Sequence, residues 1–379
     1  MTARRKGHIV VAPDKFRGSR TAAEVAADLR AGLLSVAVDA DVVAAPIADG
    51  GEGTVEAALA SGYTRVPVTV TGPDGAPVQA TIAVSGDTAV VELAQASGLQ
   101  LVTQVSRQPL RATSYGTGEL IRAGLDAGCR TIVLGLGGSA NTDGGAGMVQ
   151  ALGARVLDRS GHDVSAGGGA LVDVSRVDLT GMDPRVESAA FIVARDVDNV
   201  LLGSDGAAAV FAPQKGATGS QIAQLEAGLA RWSDAVASAV GKDFSAVPGA
   251  GAAGGVGFAA MAFLNAQSRP GVELLLEMVG FPELLPGARL VITGEGSLDM
   301  QSLGGKVPVG VARAAGRHQV PTIAVAGVTS LPSDTLTAAG FQQTYTLQQI
   351  EPDLSVCMTQ ADRLLQRIGQ LIAKDWLSS

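Results

Sequence analysis

Residues 135–148, GLGGSANTDGGAGM, constrain the fold of this chain more than any other stretch, because six of these fourteen residues are glycine. The stretch follows the apolar run 131–134 and precedes the apolar run 148–152, so it predicts a strand, a glycine loop and the start of a helix. That layout presents backbone N–H groups and the positive end of a helix to an anion, most often a phosphate. The alternative is a tight turn that needs glycine only for its backbone angles.

The order strand, charged loop, helix recurs along the chain, which predicts parallel α/β construction. It occurs at 8–34, where Thr21 and Glu24 form a capping box for the helix, and again at 42–61. Two apolar runs flanking residues 72–75 predict a β-hairpin, and the parallel rhythm returns after residue 289. We therefore predict a discontinuous α/β domain, residues 1–66 and 288–379, with residues 67–287 inserted as a second domain.

Composition and charge exclude several classes of function. The formal net charge is −8 and no basic cluster follows the first six residues, so we expect no nucleic-acid partner. Although 46% of the residues are hydrophobic, no apolar run approaches the length of a membrane span, so we expect no membrane partner. Cys129 and Cys357 belong to no metal or redox motif, which fits a reduced, cytoplasmic protein. The apolar face of the last helix suits either a core or a dimer surface, so monomer and homodimer both stay open.

Acidic residues stand beside the glycine loops. The pattern Asp-Gly-Gly-x-Gly begins at Asp49 and again at Asp143, each time after an apolar run and before a helix. Each aspartate could cap a helix, or it could hold Mg²⁺ or take a proton beside a glycine cradle. Two copies, together with TGEGSLD around Glu295 and Asp299, favour the functional interpretation.

Basic residues accompany these loops, namely Lys15, Arg17, Arg195, Lys215 and Lys306. Phosphoryl transfer needs such a set, because Mg²⁺ on carboxylates bridges the phosphates, cations offset developing charge and an acid orients the accepting hydroxyl. The residues alone therefore predict a phosphate-handling α/β enzyme.

Several longer blocks, taken in order, resemble the bacterial glycerate kinase family of the glycerate 2-kinase type. They are APDKFRGS (12–19), PIADGGEGT (46–54), GTGELI (116–121), GGSANTDGGAGM (137–148), DVDN (196–199), FAPQKGA (211–217), GAGAAGGVG (249–257), ITGEG (292–296) and GKVP (305–308). The resemblance implies ATP- and Mg²⁺-dependent phosphorylation of D-glycerate, with 2-phosphoglycerate favoured as the product. It also implies a discontinuous Rossmann-like parallel-sheet domain and an inserted mixed α/β domain, with the active site in the cleft between them.

Candidate roles follow from these blocks. Asp196, at a predicted strand end, is the candidate base that positions the glycerate hydroxyl, and Asp49 and Lys306 are further catalytic candidates. The substrate-binding candidates are Asp14, Lys15, Arg17 and Asp198. The nucleotide-binding candidates are Gly137, Gly138, Ser139, Asp143, Gly144 and Gly145, and the metal candidates are Glu295 and Asp299.

The chain departs from the family pattern at several positions. Arg17 stands where lysine is usual, Asn141-Thr142 reverses the family order, Arg195 replaces a small residue and Val200 replaces a proline. These departures bear on substrate preference more than on the type of reaction.

Two other functions stay open at this stage. A formal GxGxxG at 249–254 would indicate an NAD(P)-dependent oxidoreductase, but residues 244–248 before it do not make a convincing strand. The other function is a non-catalytic sugar-acid-binding protein on a kinase scaffold.

Overall fold

A computed structural model describes residues 7–377 of the chain. These residues form two compact units, which we call the terminal unit and the central unit. The terminal unit holds the chain up to Asp49, Glu56–Ser61 and the chain from Val272 onward, and the central unit holds Gly50–Val55 and Gly62–Gly271. Among the described residues, we find no helix that is both long and apolar enough to cross a membrane.

The strands, numbered in chain order, are β1 (His8–Pro13), β2 (Val42–Ala44), β3 (Thr64–Thr71), β4 (Pro77–Ser85), β5 (Thr88–Glu92), β6 (Thr131–Gly135), β7 (Arg155–Leu157), β8 (Arg176–Asp178), β9 (Ala190–Arg195), β10 (Gln267–Pro270), β11 (Ala288–Leu298), β12 (Thr322–Thr329) and β13 (Phe341–Thr346). The α-helices are α1 (Ala22–Val36), α2 (Thr54–Ala60), α3 (Ala94–Ser97), α4 (Tyr115–Asp126), α5 (Ala146–Ala151), α6 (Arg185–Ser188), α7 (Ala207–Phe211), α8 (Gly219–Val240), α9 (Ala252–Phe263), α10 (Gly271–Met278), α11 (Phe281–Leu284), α12 (Val307–Arg317), α13 (Ser333–Ala338), α14 (Leu347–Ile350), α15 (Leu354–Thr359) and α16 (Ala361–Leu377). Short 3₁₀ helices lie at Leu99–Leu101, Gln104–Ser106, Gly168–Asp173, Pro213–Lys215 and Ser302–Gly304.

The terminal unit is built on a five-stranded sheet in the order β13-β12-β11-β1-β2. Every neighbouring pair in it is parallel, as the recurring strand-loop-helix pattern predicted. Parallel strands are covered on both faces, which explains why β1 and residues 290–292 of β11 are continuous apolar runs rather than alternating ones. In β12, Ile323 and Val325 face the core that α1 and α16 complete, whereas Ala324 and Ala326 face a second core with α12.

Helices α1 and α16 cross with almost no space between their backbones. A Cβ added to Gly32 of α1 would lie 2.0 Å from the carbonyl oxygen of Gln366 in α16. The apolar face predicted for the last helix is core of the terminal unit, since Leu365, Ile368 and Ile372 are fully buried. The last helix, which the apolar spacing of the sequence predicts over 356–377, is two helices, because Gln360 leaves the helical conformation between α15 and α16.

The central unit contains a six-stranded mixed sheet in the order β10-β9-β6-β5-β4-β3. Strands β3, β4 and β5 pair antiparallel, and the hairpin predicted around residues 72–75 is confirmed, with Thr71 opposite Pro77. Strands β5, β6, β9 and β10 are parallel, so their carboxyl ends lie at one edge of the sheet. Both units are thus α/β, and the predicted fold class is confirmed.

The Gly32 crossing makes a stability prediction. Gly32→Ala forces a methyl group into the backbone of α16, so we expect a loss of about 1–3 kcal/mol in the free energy of unfolding. The matched control is Gly316→Ala in α12, where an added Cβ meets nothing within 4 Å. We expect that control to keep or raise stability, because alanine favours an exposed helix over glycine. Urea denaturation measures both variants, and equal stability of the two would show that α1 and α16 are not tightly packed.

Candidate active site

Acidic side chains of the terminal unit gather at the carboxyl ends of β1 and β11. Asp14 follows β1 directly, and its backbone N–H donates to the carbonyl of Gly294 at 2.8 Å. Glu295 lies in β11 next to that residue. The chain order along the sheet reverses between β1 and β11, and ligands of open α/β sheets bind outside the carboxyl ends of strands at such a point. We call this group, Asp14, Lys15, Asp49, Glu295 and Lys306, the acidic edge.

Asp14 is the most perturbed carboxyl of the acidic edge. It is 6% exposed, and burial raises its pKa to about 7, with the negative charges of Asp49 and Glu295 acting in the same direction. Lys15 opposes this shift, because its Nζ lies 3.9 Å from Asp14 Oδ1 and its backbone N–H donates to the same oxygen at 2.7 Å. Near neutral pH, Asp14 can therefore either accept or donate a hydrogen bond at this edge.

Glu295 is the second buried carboxyl, and it keeps an oxygen available. Its pKa is raised chiefly by burial, against the effect of Lys306, whose Nζ lies 4.0 Å from Oε2. The other oxygen, Oε1, is buried and makes no hydrogen bond with any residue that the structure describes. An unpaired buried carboxylate oxygen is unfavourable unless a ligand or cation completes it, which marks Glu295 as the stronger of the two metal candidates.

Asp299, the other metal candidate, is engaged locally. Its Oδ1 accepts hydrogen bonds from the backbone N–H groups of Gln301 at 2.8 Å and Ser302 at 3.2 Å, which closes a turn after β11. Within residues 7–377, no three or more His, Cys, Asp or Glu side chains are grouped to hold a metal by themselves. Mg²⁺ usually takes only one or two protein carboxylates and completes its shell with water and substrate phosphate, so Glu295 still fits that ion.

The remaining terminal-unit candidates differ in exposure. Asp49 is half-buried and close enough to Asp14 and Glu295 to raise the pKa of both. Arg17 is exposed, in a turn closed by reciprocal backbone hydrogen bonds between Phe16 and Arg20. Of the predicted residues, the structure therefore brings Asp14, Asp49 and Glu295 together, with Lys15 and Lys306 beside them.

In the central unit, two glycine segments meet at the carboxyl ends of β6 and β9. A Cβ on Gly137 would lie 2.5 Å from Cα of Gly51, and a Cβ on Gly135 would lie 2.6 Å from the carbonyl oxygen of Gly50. Only glycine allows backbones to approach this closely, which explains the glycine excess of both motifs. The loop at 50–53 is also held by Glu92, at the end of β5, whose Oε2 accepts from the N–H of Gly53 at 3.1 Å.

Asp143 is buried at the centre of the opening glycine stretch and is 1% exposed. Its Oδ2 accepts from Ser114 N at 2.8 Å, Ser114 Oγ at 2.9 Å and Gly147 N at 3.3 Å. Its Oδ1 accepts from Asn141 Nδ2 at 2.9 Å and Gly145 N at 3.1 Å. Both oxygens are thus satisfied inside the chain, so this carboxylate fixes the shape of the loop.

The first N–H groups of α5 are also engaged inside the chain. The N–H groups of Gly145 and Gly147 donate to Asp143, and that of Met148 donates to Ser114 Oγ at 3.0 Å. The carbonyl of Gly144 accepts from Trp232 Nε1 at 2.9 Å. The exposed glycine of the stretch is Gly138, with half-buried Gly137 before it, whereas residues 143–145 are buried.

Lys215 is a residue that our site assignment left out. It is 2% exposed, and its Nζ donates to Ser139 Oγ at 2.8 Å, to the carbonyl of Asn141, and to Thr142 Oγ1 at 3.5 Å. Burial lowers its pKa to about 7, against the effect of nearby Asp143. The block FAPQKGA was the sequence signal for this lysine, but it did not predict which loop the lysine would contact.

The reversed pair Asn141-Thr142 lies inside this network. Both residues are fully buried, and Asn141 Nδ2 also donates to the carbonyl of Ala253 at 3.1 Å. The departure from the family order therefore affects hydrogen bonds within the loop rather than a surface contact.

The candidate base, Asp196, follows β9 directly and is exposed. Its neighbour Arg195 forms an ion pair with Asp198, and its Nε donates to Ser268 Oγ of β10. Asp198 is thus balanced by a cation of its own segment.

The formal GxGxxG at 249–254 lacks the context of a dinucleotide site. Residues 241–248, all of them described, contain no strand. Ala253, Gly254 and Gly255 have φ values of 53°, 70° and 94°, so no regular helix begins at this turn. This geometry counts against the oxidoreductase alternative.

The raised pKa of Asp14 gives a pH-dependent prediction for the protein without Mg²⁺ or substrate. Between about pH 4 and 7 the folded state holds a proton that the unfolded state has lost, so stability falls as pH rises through this window. Asp14→Asn lacks this titrating carboxyl, so its free energy of unfolding should not fall in this way. Relative to wild type, the free energy of unfolding of the variant should therefore increase by on the order of 3 kcal/mol between pH 5 and pH 8. Urea denaturation at both pH values measures it, with exposed Asp41→Asn as the control. A gain that is the same at both pH values would contradict the raised pKa.

Comparisons with known proteins identify the family of this chain. The sequence profile described as "Glycerate kinase family" matches residues 9–377. A glycerate kinase from Halalkalibacterium halodurans is 44% identical over 96% of this chain and 97% of its own length. A glycerate 2-kinase from Escherichia coli is 47% identical over 84% of each chain. The crystal structure of a protein named glycerate kinase 2 from Salmonella typhimurium LT2 is similar with a TM-score of 0.84 and 43% identity, covering 97% of this chain and 98% of that one. The chain therefore belongs to the glycerate kinase family.

Proposed function

We propose that this protein is a kinase that transfers a phosphoryl group from ATP to a hydroxyl of D-glycerate, with Mg²⁺ and with 2-phosphoglycerate as the product. The observation that carries the proposal is the acidic edge, where Asp14 and the incompletely satisfied Glu295 lie beside Lys15 and Lys306. Carboxylates next to ammonium groups suit a small anionic substrate with hydroxyls and a phosphoryl group in transfer.

Lys15 and Arg17 hold the carboxylate of glycerate in this mechanism. Arg17 offers a planar guanidinium that can bind a carboxylate with two parallel hydrogen bonds, which a lysine at this position could not do. Asp14 and Asp49 bind the substrate hydroxyls. A pKa of about 7 lets Asp14 take either role in a hydrogen bond with a hydroxyl.

Asp196 orients the accepting hydroxyl and takes its proton. It is exposed at the carboxyl end of β9, the position in a parallel sheet where catalytic side chains commonly lie. In phosphoryl transfer the nucleophile is only weakly bonded in the transition state, so positioning contributes more than strong basicity.

The phosphates of ATP bind at residues 137–139, where Gly137 and Gly138 let the ligand approach the backbone. Glu295 is the residue that would hold Mg²⁺, and Lys306 stays close to the same carboxylate. Mg²⁺ would supply charge neutralisation at the phosphate oxygens. Lys306 offsets the negative charge that develops during transfer.

The cellular setting belongs to the same proposal. ATP and D-glycerate are small molecules of the cytoplasm, and Cys129 and Cys357 are both buried thiols rather than partners in a disulfide. A reducing compartment suits that state.

The base assignment is tested with Asp196→Asn. We expect kcat to fall about 10²- to 10⁴-fold, because the hydroxyl loses its proton acceptor, while the KM for ATP stays within a few-fold. A coupled ADP-release assay gives the rates, and phosphorus NMR identifies 2-phosphoglycerate in the wild-type reaction. The control, Asp205→Asn, makes the same change at another exposed aspartate of the central unit. A kcat for Asp196→Asn within a few-fold of wild type would remove Asp196 from the role of base.

The metal assignment is tested with Glu295→Gln. We expect the Mg²⁺ concentration for half-maximal activity to rise about 10- to 100-fold, as for losses of groups that support a metal. Exposed Glu283→Gln, in the same unit, is the matched control. An unchanged Mg²⁺ requirement in Glu295→Gln would show that the ion is held elsewhere.

A further inference from the structure

The central unit contains a cavity of about 660 Å³ that none of our assigned roles uses. Its volume falls in the range of small-molecule sites, which is about 300–1,000 Å³. Leu99, Val102, Leu110 and Ala170 are among its apolar lining residues, which we call the apolar wall. A cavity of this size with an apolar wall is suited to a flat organic group.

The charged side chains that line the cavity are mostly positive. They are Arg107, Arg111 and Lys215, with Asp74 as the acid among the lining residues. Two arginines and a lysine against one carboxylate favour an anionic ligand.

Arg107 provides a donor that the chain leaves unused. Its Nη1 donates to the carbonyl of Gln214, the residue that precedes Lys215, at 3.0 Å. Its Nε is buried and has no hydrogen-bond partner within the part of the chain that the structure describes. A buried N–H without an acceptor is unfavourable, and a ligand oxygen would relieve that penalty.

The cavity adjoins the glycine stretch. Ala140 lines it, directly after Ser139, and Lys215 lines it while donating to Ser139 Oγ at 2.8 Å. Leu99, on the apolar wall, donates its N–H to the carbonyl of Gly138 at 2.7 Å. The residue that directly follows the segment we assign to phosphate therefore forms part of the cavity wall.

We propose that this cavity binds the nucleoside part of the triphosphate donor, with the base against the apolar wall and Arg107 donating through Nε to an oxygen of the nucleotide. This inference rests on the proposed function, because it locates the nucleotide that such a kinase uses. Arg107 and lining residues from the segments at 99–102, 106–113 and 165–170 would then belong to the nucleotide site.

Two variants change the cavity by different means. Arg107→Met removes the unused donor and one positive charge. Ala166→Trp places an indole at the cavity from an exposed position, so the fold should tolerate it. The matched controls are Arg159→Met and Ala239→Trp, which make the same changes at exposed positions of the central unit outside the cavity lining.

Isothermal titration with ATP in the presence of Mg²⁺ measures binding directly, and steady-state assays give the KM for ATP and for D-glycerate. We expect the Kd for ATP to rise tenfold or more in both cavity variants, with the KM for D-glycerate within twofold of wild type. Both controls should bind ATP as wild type does, and thermal unfolding should show all four variants folded.

The outcomes separate this inference from the proposed function. If both cavity variants bind ATP within twofold of wild type, the nucleoside lies elsewhere and the inference is overturned, whether or not the wild type phosphorylates D-glycerate. If the variants weaken ATP binding and the wild type phosphorylates D-glycerate, both stand. If the variants weaken ATP binding but the wild type produces no phosphoglycerate, the proposed acceptor is wrong and the nucleotide cavity stands. A tenfold rise in Kd that occurs for another anion, such as inorganic phosphate, but not for ATP would also overturn the inference.

Discussion

Two buried charged side chains, Asp143 and Lys215, fix the loop on which the central unit depends. A buried charge is stable only when its hydrogen bonds are made within the protein, so each of the two gathers backbone and side-chain partners around itself. Asp143 collects the N–H groups at the start of α5, and Lys215 collects oxygens from residues 139–142. The loop is thereby held from both sides, next to half-buried Gly137 and exposed Gly138. Preorganised backbone of this kind binds an anion without first having to be ordered.

The terminal unit follows the opposite electrostatic principle. Asp14, Asp49 and Glu295 are acidic groups brought together at the carboxyl ends of parallel strands, where Asp49 and Glu295 raise the pKa of Asp14 and Asp49 raises that of Glu295. This arrangement destabilises the ligand-free protein near neutral pH, since burial and repulsion both disfavour the ionised forms. Lys15 and Lys306 compensate only in part. Perturbed carboxyls of this kind cluster at functional sites, where a bound cation or a substrate hydroxyl completes them.

Much of the fold could be predicted from local patterns. Continuous apolar runs separated by loops and helices indicate parallel strands, and β1, β6 and β11 are all parallel strands. The hairpin between β3 and β4 followed from its turn residues. The break at Gln360 could not be predicted, because the apolar spacing continues across it and only the packing of α16 on α1 fixes where the helix begins. The sequence also could not predict that Gly50–Val55 belongs to the central unit. That placement depends on contacts between its glycines and residues 135–137, which are distant in sequence.

The sequence by itself determined the chemistry that is available: carboxylates, amines and glycine loops, each placed after an apolar strand. It could do so because strand direction and residue type are local properties. Only the tertiary structure decided which of these groups a ligand can reach. Asp143 and Glu295 stand in similar glycine-rich contexts, yet the first has every oxygen satisfied within the chain and the second keeps Oε1 without a partner among the described residues. Ser114, which completes the hydrogen bonds of Asp143, lies 29 residues away along the chain, and for that reason no local motif could distinguish the two.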